Sequence, residues 1–523
     1  MSAFILSLSA ASVNRRVGAY APKRISDKVK SRLQILFGKD ILEKNASAFS
    51  SGRFAEKLHF LRKEEYPMNS AFDTYFTGLK NKKIAVLGLG VSNRPLVRLL
   101  LEYGCDVVGC DRTPREKMDA EVLELEAMGC RLHVGDGYLD DVEADILFRT
   151  PGMHPNNPAI ETLRSRGAEV TSEMEAFFEV CPCPIIGVTG SDGKTTTTTL
   201  IYKCLAEEYG EDNVFVGGNI GKPLLPELDK MSPETFAVVE LSSFQLQTMK
   251  ASPDISIITN ISPNHLDYHR GMEEYIRAKE NIFLHAKPGS VAVLNGVNPV
   301  TKELGKDVPT GTEVRYFLDG IADVKDGYIT YDGKPVLAAS DILIPGRHNI
   351  ENYTGVICAL HGLVSDETVR KIAKTFGGVE HRIELVRTLD GVKYYNSSID
   401  SSPTRTTAAL NSFPGRVIVI CGGYDKHIPF EPLAKPLCEK AKAVVLTGAT
   451  AGKIKAALTS YPGYTPGSPE IAEEPDFEKA VLAAKSLAKP GDTVILSPAC
   501  ASFDAFPNFE VRGNRFKSIV NGF

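Results

Sequence analysis

The 523-residue sequence has no apolar run near the roughly 18 to 20 residues that a membrane-spanning helix needs. It also lacks a strong charge of either sign, because the formal net charge is only −5. A slightly acidic chain of this kind is not expected to bind nucleic acid in bulk. We therefore expect neither a membrane nor a nucleic acid as a partner.

Close cysteine pairs are almost absent as well. The ten cysteines are scattered along the chain, and Cys181 and Cys183 are the only pair separated by a single residue. A metal site at this pair would need two more ligands at matching spacing, which the sequence does not provide. Scattered cysteines in a large acidic protein indicate reduced thiols, so we expect a cytoplasmic location.

What the sequence does contain is a glycine loop between an apolar run and a Thr-rich helix start, at residues 185–196. The loop reads Gly187-x-x-Gly190-x-x-Gly193-Lys194-Thr195. Backbone N–H groups in such a loop point inward at a helix N-terminus, which suits a nucleotide polyphosphate. Lys194 would reach the terminal phosphates, and the Thr195 hydroxyl would bind Mg²⁺. The loop alone does not indicate which reaction follows.

A second glycine loop lies earlier, at residues 83–94. Gly88 and Gly90 match two of the three glycines of the dinucleotide-binding fingerprint, and Asn93 replaces the third. Asp111 ends the next apolar run about 20 residues on, where a ribose partner is expected. These features predict a Rossmann-like domain that binds a nucleotide-containing ligand. The alternative is a turn of the same shape without a ligand.

Charged and imidazole side chains follow two apolar runs downstream of the phosphate loop. Glu240 ends the first run, and acids at strand ends near a phosphate loop usually bind Mg²⁺. The second run leads to His265-x-Asp267-x-His269, and Lys279 follows on a helix predicted to begin near Met272. A lone histidine is often structural, but a cluster after a buried strand favours function.

Apolar strands alternating with helical stretches predict an α/β fold with parallel sheets, and the length is that of about three domains. We divide the chain into a basic N-terminal extension (1–67), a Rossmann-like domain (68–183), a central P-loop ATPase-like domain with a mostly parallel sheet (184–378) and a Rossmann-like C-terminal domain (379–523). The extension carries thirteen Lys and Arg residues against six Asp and Glu residues.

From residue 68 to 523 these motifs resemble the Mur ligases, the ATP-dependent amide-forming family of peptidoglycan synthesis. The phosphate loop has that family's unusual glycine spacing. Further matching motifs follow in family order at residues 218–221, 240–246, 265–269, 348–352 and 381–382. Residues 240–246 and 496–513 are most similar to the D-glutamate-adding member of the family.

The resemblance implies that ATP phosphorylates the L-alanine carboxylate of UDP-N-acetylmuramoyl-L-alanine. The amine of D-glutamate then attacks this acyl phosphate, and phosphate leaves. ATP and Mg²⁺ are the implied cofactors, and the two small molecules are the implied substrates. The implied setting is cytoplasmic peptidoglycan precursor synthesis, and we expect a monomer.

The resemblance also assigns residues to each part of the site. The implied catalytic residues are Lys194, His265 and Lys279, of which Lys279 would react with CO₂ to form a carbamate. ATP would contact Gly190, Ser191, Asp192, Gly193, Lys194, Thr195, Thr196, Asn352 and Arg382. The metal ligands would be Thr195, Glu240, His265 and Lys279. The UDP substrate would contact Gly88, Leu89, Gly90, Val91, Ser92, Asp111, Arg112 and Asn219. D-Glutamate would contact Lys426, Ser502, Phe509 and Ser401.

Residues 396–405 depart from the family pattern. Where the family has the acid that holds the ATP ribose, this chain has Ser397, and Ile399 stands in place of a lysine. Either Asp400 or Arg405 could substitute, and the sequence leaves this open.

The sequence leaves four alternatives to these assignments open. Folylpolyglutamate synthase shares the phosphate loop, but in that enzyme we expect no uridine-binding domain ahead of the loop. A P-loop regulator without enzymatic activity, or an NAD-binding module, would also have glycine loops. For Lys279, the alternative is a surface lysine paired with Glu280.

Overall fold

The computed structural model describes residues 70–266 and 268–523. The predicted extension (1–67) and Asp267 lie outside the described residues. Three β-sheets follow one another along the chain, which confirms the α/β class and the tandem arrangement. They occupy residues 83–171, 185–338 and 384–496. The domain boundaries at 183/184 and 378/379 fall between the sheets and stay predictions.

The first sheet has five parallel strands in the order β3-β2-β1-β4-β5. They are β1 (Lys83–Leu87), β2 (Asp106–Asp111), β3 (Arg131–Val134), β4 (Ile146–Arg149) and β5 (Glu169–Thr171). The helices are α1 (Ser70–Leu79), α2 (Asn93–Glu102), α3 (Ala120–Ala127), α4 (Pro158–Ser165) and α5 (Glu173–Val180), with a 3₁₀ turn at Arg115–Lys117. Strands β1 and β4 are apolar and buried nearly throughout, as expected for parallel strands covered by helices on both faces.

The second sheet has nine strands in the order β14-β13-β12-β11-β10-β9-β6-β8-β7. They are β6 (Ile185–Thr189), β7 (Val214–Gly218), β8 (Phe236–Glu240), β9 (Ile255–Ile258), β10 (Val291–Asn295), β11 (Glu313–Phe317), β12 (Ala322–Lys325), β13 (Tyr328–Tyr331) and β14 (Lys334–Ala338). Strands β6 to β12 pair in parallel, whereas β12, β13 and β14 form an antiparallel meander.

Six helices accompany the second sheet. They are α6 (Lys194–Tyr209), α7 (Ser243–Leu246), α8 (Met272–Leu284), α9 (Pro299–Leu304), α10 (Arg347–Leu360) and α11 (Asp366–Thr375), with 3₁₀ turns at Glu211–Asn213, Leu225–Lys230 and Ala339–Asp341. Helix α6 begins directly after the phosphate loop, as the sequence predicted. Among the described residues, no helix is long and apolar enough to cross a membrane.

The third sheet has six strands in the order β15-β16-β20-β17-β18-β19, of which only β15 runs antiparallel. The strands are β15 (Glu384–Leu389), β16 (Val392–Asn396), β17 (Val417–Cys421), β18 (Ala441–Leu446), β19 (Glu470–Glu473) and β20 (Thr493–Leu496). The helices are α12 (Pro403–Asn411), α13 (Glu431–Lys440), α14 (Ala451–Thr459), α15 (Phe477–Leu487) and α16 (Phe509–Asn521).

The register of the second sheet positions the site. Strand β6 lies between β8 and β9, with Val188 opposite Glu240 and Thr189 opposite Ile258. The carboxyl ends of three neighbouring parallel strands therefore meet beside the phosphate loop. Ligands of open α/β sheets bind at this edge.

Candidate active site at the phosphate loop

The phosphate loop joins β6 to α6 and requires glycine at two positions. Gly190 and Gly193 have φ angles of 148° and 79°, which other residues rarely adopt. A Cβ atom on Gly190 would lie 1.8 Å from the Thr259 hydroxyl, so no side chain fits there. That hydroxyl donates a 2.6 Å hydrogen bond to the Asp192 carbonyl and holds the loop against β9.

Lys194, the first residue of α6, lies over this loop. Its ammonium donates hydrogen bonds of 2.9 Å to the carbonyl oxygens of Gly190 and Ser191. Burial lowers the pKa of Lys194, while the nearby carboxylates of Glu240 and Asp192 raise it. Lys194 therefore places a cation where a nucleotide polyphosphate would lie on the loop.

Glu240 ends β8 and is only 1% exposed. Its Oε1 accepts a 2.7 Å hydrogen bond from the Asn219 amide, whereas its buried Oε2 has no hydrogen-bond partner. A buried carboxylate oxygen without a partner is costly unless a cation or a donor binds it. The prediction of Glu240 as a metal ligand fits this environment. Asn219, which the sequence assigned to the UDP substrate, contacts Glu240.

The described residues contain no group of three or more His, Cys, Asp and Glu side chains that could enclose a metal by themselves. Mg²⁺ usually binds one or two carboxylates and completes its octahedron with phosphate oxygens and water. The orphaned Glu240 oxygen beside the phosphate loop therefore fits Mg²⁺ that arrives with a nucleotide.

Lys279 lies on α8, which begins at Met272 as predicted, and its side chain is only 1% exposed. Its ammonium donates hydrogen bonds to the Gly190 carbonyl (2.7 Å) and the Thr189 hydroxyl (3.3 Å). Burial and the nearby Lys194 lower its pKa well below the ordinary value, against the attraction of Glu240. The alternative of a surface lysine paired with Glu280 is wrong, because Lys279 points into the site.

The two histidines of the His-x-Asp-x-His motif lie in different environments. His265 is exposed, has a φ of 54°, and its ring lies 4.9 Å from that of Phe244. His269 is buried, and its Nε2 lies 2.9 Å from the Ser243 hydroxyl on α7. Burial lowers the pKa of His269. His269 therefore fixes the motif to α7, while His265 faces solvent.

The glycine loop after β1 is closed by side chains rather than by a third glycine. Gly88 has a φ of 82°, and the Asn93 amide donates to the carbonyls of Leu87 (3.1 Å) and Gly88 (2.8 Å). Asp111 accepts a 2.8 Å hydrogen bond from the Leu89 N–H. Burial alone would raise the pKa of Asp111, but backbone hydrogen bonds, including the one from Leu89, lower it. Val91 and Arg112 are exposed beside this loop.

Asn352 and Arg382 approach the phosphate loop from other elements. Asn352 lies on α10, and its Oδ1 would be 2.4 Å from a Cβ atom on Gly193. Arg382 lies within electrostatic reach of Lys194, whose pKa is lowered first by burial and to a smaller extent by this arginine. The structure thus brings Arg382, from the start of the third sheet region, towards the phosphate loop of the second.

Three of the predicted D-glutamate residues, Lys426, Ser502 and Ser401, lie on loops at the carboxyl edge of the third sheet, and Phe509 is the first residue of α16. Lys426 is exposed, Ser502 is buried, and Phe509 and Ser401 are half-buried. Arg512, which the sequence showed only as part of a motif, holds these loops together. Its guanidinium is 2% exposed and donates to the Ser398 hydroxyl and to three carbonyl oxygens, those of Ser398, Cys500 and Ala501, at 2.9 to 3.0 Å.

Asp400 lies against the serine that replaces the family's usual acid. Its backbone N–H donates to the Ser397 carbonyl at 3.0 Å, and its carboxylate accepts a 2.8 Å hydrogen bond from the Ser497 hydroxyl. Burial raises the pKa of Asp400 to about 6. Arg405, the other candidate substitute, donates to the Ile399 carbonyl at 3.1 Å. Of the two, Asp400 is the one in contact with Ser397.

Comparisons with known proteins decide the family. The model of the Mur ligase middle domain matches residues 188–360, and that of the Mur ligase, glutamate ligase domain matches residues 381–500. The UDP-N-acetylmuramoylalanine–D-glutamate ligase of Clostridium botulinum (strain Kyoto / Type A2) is 46% identical over 459 residues, which cover 87% of this chain and 100% of that protein. The chain belongs to the Mur ligase family. The resemblance seen in the sequence is thereby confirmed.

Further Mur ligases agree. The UDP-N-acetylmuramoylalanine–D-glutamate ligase of Acetivibrio thermocellus is 48% identical over 467 residues, which cover 87% of this chain and 99% of that protein. The crystal structure of UDP-N-acetylmuramate-alanine ligase from Thermotoga maritima has a TM-score of 0.51 at 20% identity, and covers 84% of this chain and 100% of that one. At 20% identity, the similarity to the Thermotoga maritima structure shows the fold alone.

The two Mur ligase matches divide the candidate site between them. The middle-domain match includes Lys194, Glu240 and Lys279, and the glutamate-ligase match includes Arg382 and Lys426. The individual roles of these residues stay predictions.

Proposed function

We propose that this Mur ligase joins D-glutamate to UDP-N-acetylmuramoyl-L-alanine and converts ATP to ADP and phosphate. The observation that carries the proposal is the grouping of the half-buried Lys194 with the buried Glu240 and Lys279 around a phosphate loop. The names of relatives at 46% and 48% identity support the choice of substrates. The ATP requirement and the substrate place the reaction in the cytoplasm.

In the first step, an oxygen of the L-alanine carboxylate bonds to the γ-phosphorus of ATP, and the bond to ADP breaks. Charge spreads over the γ-phosphate oxygens, so catalysis depends on positioning and on nearby cations. Lys194 supplies one cation from the loop itself, and Arg382 supplies a second from the third sheet region. Asn352 contacts the loop at Gly193 and helps to fix the nucleotide.

In the second step, the amine of D-glutamate attacks the acyl carbon and forms the amide bond. The amine loses a proton, the bond between carbon and the phosphate oxygen breaks, and phosphate leaves. Lys426 is an exposed cation at the carboxyl edge of the third sheet, where an anionic amino acid would bind. Ser502, Phe509 and Ser401 complete the D-glutamate contacts. Arg512 fixes the loops that carry them.

The Thr195 hydroxyl would hold a first Mg²⁺, and the orphaned Glu240 oxygen, His265 and Lys279 would hold a second. When bound, Mg²⁺ neutralises developing charge on the transferred phosphoryl group. A protonated Lys279 would repel a metal ion. Burial and the nearby Lys194 lower its pKa and so favour the neutral amine, whose nitrogen can attack CO₂, lose a proton to solvent and become a carbamate. The carbamate offers anionic oxygens, which a hard metal ion prefers.

The nucleotide part of the UDP substrate would lie across Gly88 to Ser92, near Asp111 and Arg112. Asp400 takes over the ATP-ribose contact that the family's acid would make from position 397. Its hydrogen bond with Ser397 supports this relocation.

Product analysis tests the proposal. The full-length protein is incubated with ATP, Mg²⁺ and UDP-N-acetylmuramoyl-L-alanine, and with D-glutamate, L-lysine or diaminopimelate in parallel. We expect ADP, phosphate and an amide product with D-glutamate only. An amide with another amino acid would contradict the assigned specificity. Ligation of glutamate to a folate would indicate a folylpolyglutamate synthase, and an absence of any product would favour the non-enzymatic alternatives.

A further inference from the structure

Arg149 is a buried arginine at the end of β4, and nothing in the proposed mechanism uses it. Its side chain is 1% exposed, the largest of the fully buried side chains. One guanidinium nitrogen, Nη1, donates to three carbonyls of the following turn: Thr150 (3.3 Å), Pro151 (3.2 Å) and Met153 (2.6 Å). The other, Nη2, donates to the Phe244 carbonyl (2.9 Å) and the Thr248 hydroxyl (3.1 Å). One guanidinium thus joins the first sheet region to the second.

The energetic cost of this arrangement is high. Among the described residues, no carboxylate lies within salt-bridge distance of Arg149, and its Nε has no hydrogen-bond partner. Burial lowers the pKa of Arg149. Burying a charge without an acidic partner is strongly unfavourable, and the five hydrogen bonds to neutral acceptors offset only part of that cost. A role in fold stability alone therefore explains Arg149 poorly.

Two residues whose carbonyls accept hydrogen bonds from Arg149, Thr150 and Phe244, also contact parts of the candidate site. On one side, the Thr150 side chain packs beneath the first glycine loop, because a Cβ atom on Gly88 would lie 2.9 Å from the Thr150 Cβ. On the other side, the Phe244 ring lies 4.9 Å from the ring of His265. A continuous series of contacts connects the loop that would carry the nucleotide with a predicted metal ligand.

Other cross-region bonds flank Arg149. The Tyr268 hydroxyl donates to the Pro151 carbonyl at 3.1 Å, and His154 lies 3.1 Å from Glu274 at the start of α8. Each of these involves a single donor. Of these three side chains, Arg149 alone has a rigid, planar group with several donors, which fixes orientation as well as distance.

We propose that Arg149 is a positioning residue that orients the nucleotide-binding loop of the first region relative to the phosphate loop and His265. Its contacts place the acyl end of the bound UDP substrate for attack on the γ-phosphate. This inference rests on the proposed ligase function. It concerns alignment rather than affinity, so it predicts a change in turnover with little change in substrate binding.

The test compares Arg149→Lys and Arg149→Met with a matched control, Arg315→Met. Arg315 is also a buried arginine, but it lies on β11 and bonds to Glu313 and the Cys358 carbonyl. We measure kcat, the dissociation constant of UDP-N-acetylmuramoyl-L-alanine, and Tm for each variant. The Arg149 variants should lose about tenfold or more in kcat, as expected for the loss of charge-assisted hydrogen bonds. Their dissociation constants should stay within a few-fold of the wild type, and Arg315→Met should keep its kcat.

Thr248→Val provides a second, milder probe, because it removes the one side-chain acceptor of Arg149 and keeps the shape. We expect a smaller loss of kcat, and a double variant with Arg149→Lys should lose less than the product of the two single effects. If Arg149→Met does not fold, Arg149→Lys and Thr248→Val decide the question.

Full kcat in the folded Arg149 variants would overturn the inference. A loss of kcat that Arg315→Met shows equally at the same loss of Tm would overturn it too, because a structural role would then suffice. If the Arg149 variants keep full kcat while the wild type ligates D-glutamate, only this inference is wrong. If the wild type itself forms no amide, the proposed function fails and this inference fails with it.

Discussion

Replacing Lys279 with alanine tests the most unusual side chain of the site. The substitution removes an amine that lies 2.7 Å from the Gly190 carbonyl and 3.3 Å from the Thr189 hydroxyl. The Gly190 carbonyl keeps a donor, because Lys194 also bonds to it at 2.9 Å. The phosphate loop should therefore retain its conformation in the variant.

The effect on stability should be modest. The variant loses two hydrogen bonds, worth about 1 kcal/mol each, and three buried methylenes, worth about 0.8 kcal/mol each. It also removes an amine whose charging is opposed by burial and by Lys194. The net loss of about 4 kcal/mol or less is smaller than a typical stability of about 5 to 15 kcal/mol, so the variant should fold.

The effect on turnover should be much larger. If the carbamate of Lys279 holds Mg²⁺, its loss removes part of a contribution of several kcal/mol to transition-state stabilisation. That corresponds to about a hundredfold or more in kcat. The substitution should therefore lower kcat strongly while the protein stays folded.

The assay measures kcat of Lys279→Ala with and without acetate or formate at rising concentration. A short carboxylate can occupy the space of the carbamate, so we expect partial recovery with saturation. Lys203→Ala, at an exposed position on α6, is the control and should show neither loss nor response. Full activity of the alanine variant would refute the reasoning, and a folded, inactive variant that no short acid restores would refute the carbamate.

Four further predictions follow from the same geometry. Lys194→Ala should fold and lose ligation, because the Gly190 carbonyl keeps its hydrogen bond from Lys279 while the loop loses its cation; near-normal turnover at saturating ATP would contradict the assignment. Lys426→Ala should raise the KM for D-glutamate about tenfold or more, as for a lost charge-assisted contact of about 1.5 to 3 kcal/mol, with the KM for ATP nearly unchanged. Asp400→Asn should raise the KM for ATP several-fold, whereas Arg405→Ala should not; the reverse result would identify Arg405 as the substitute. Glu173 is buried with one oxygen unpartnered, and burial raises its pKa from 4.5 to about 8. Its protonated form is favoured in the fold, so the wild type should lose stability as pH rises from 4.5 to 8, by up to about 5 kcal/mol. In Glu173→Gln, this loss of unfolding free energy between pH 4.5 and 8 should disappear. An unchanged pH dependence would contradict the prediction.

Local pattern was enough to predict much of the fold and of the site. Glycines that need positive φ, as at Gly190 and Gly193, show where a strand passes into a helix. Apolar runs predicted the strands. Because Glu240 ends such a run, the sequence also predicted that its carboxylate lies beside the loop. These features depend on a few consecutive residues, so periodicity and turn chemistry reveal them.

The remaining features depend on contacts between distant segments. Nothing local shows that Lys279 turns inward on α8, because a lysine usually lies on the exposed face of a helix. Asn93 closes the first glycine loop, which lacks the third glycine of the fingerprint. Arg149 and Arg512 are buried, although arginine is almost always exposed. Lys279, Arg149 and Arg512 bond to backbone carbonyls that the tertiary structure brings near, at Gly190, Phe244 and Ser398. Asn93 bonds within its own loop, to the Leu87 and Gly88 carbonyls. The antiparallel edge strand β15 also went unpredicted, because short apolar runs do not show their direction.

Oxygen transfer tests the central claim most directly. UDP-N-acetylmuramoyl-L-alanine is prepared with ¹⁸O in both oxygens of the L-alanine carboxylate and ligated to D-glutamate with ATP. An acyl phosphate requires one labelled oxygen to leave with phosphate and the other to stay in the amide. We expect phosphate with one ¹⁸O atom per amide formed. Phosphate without label would contradict the account.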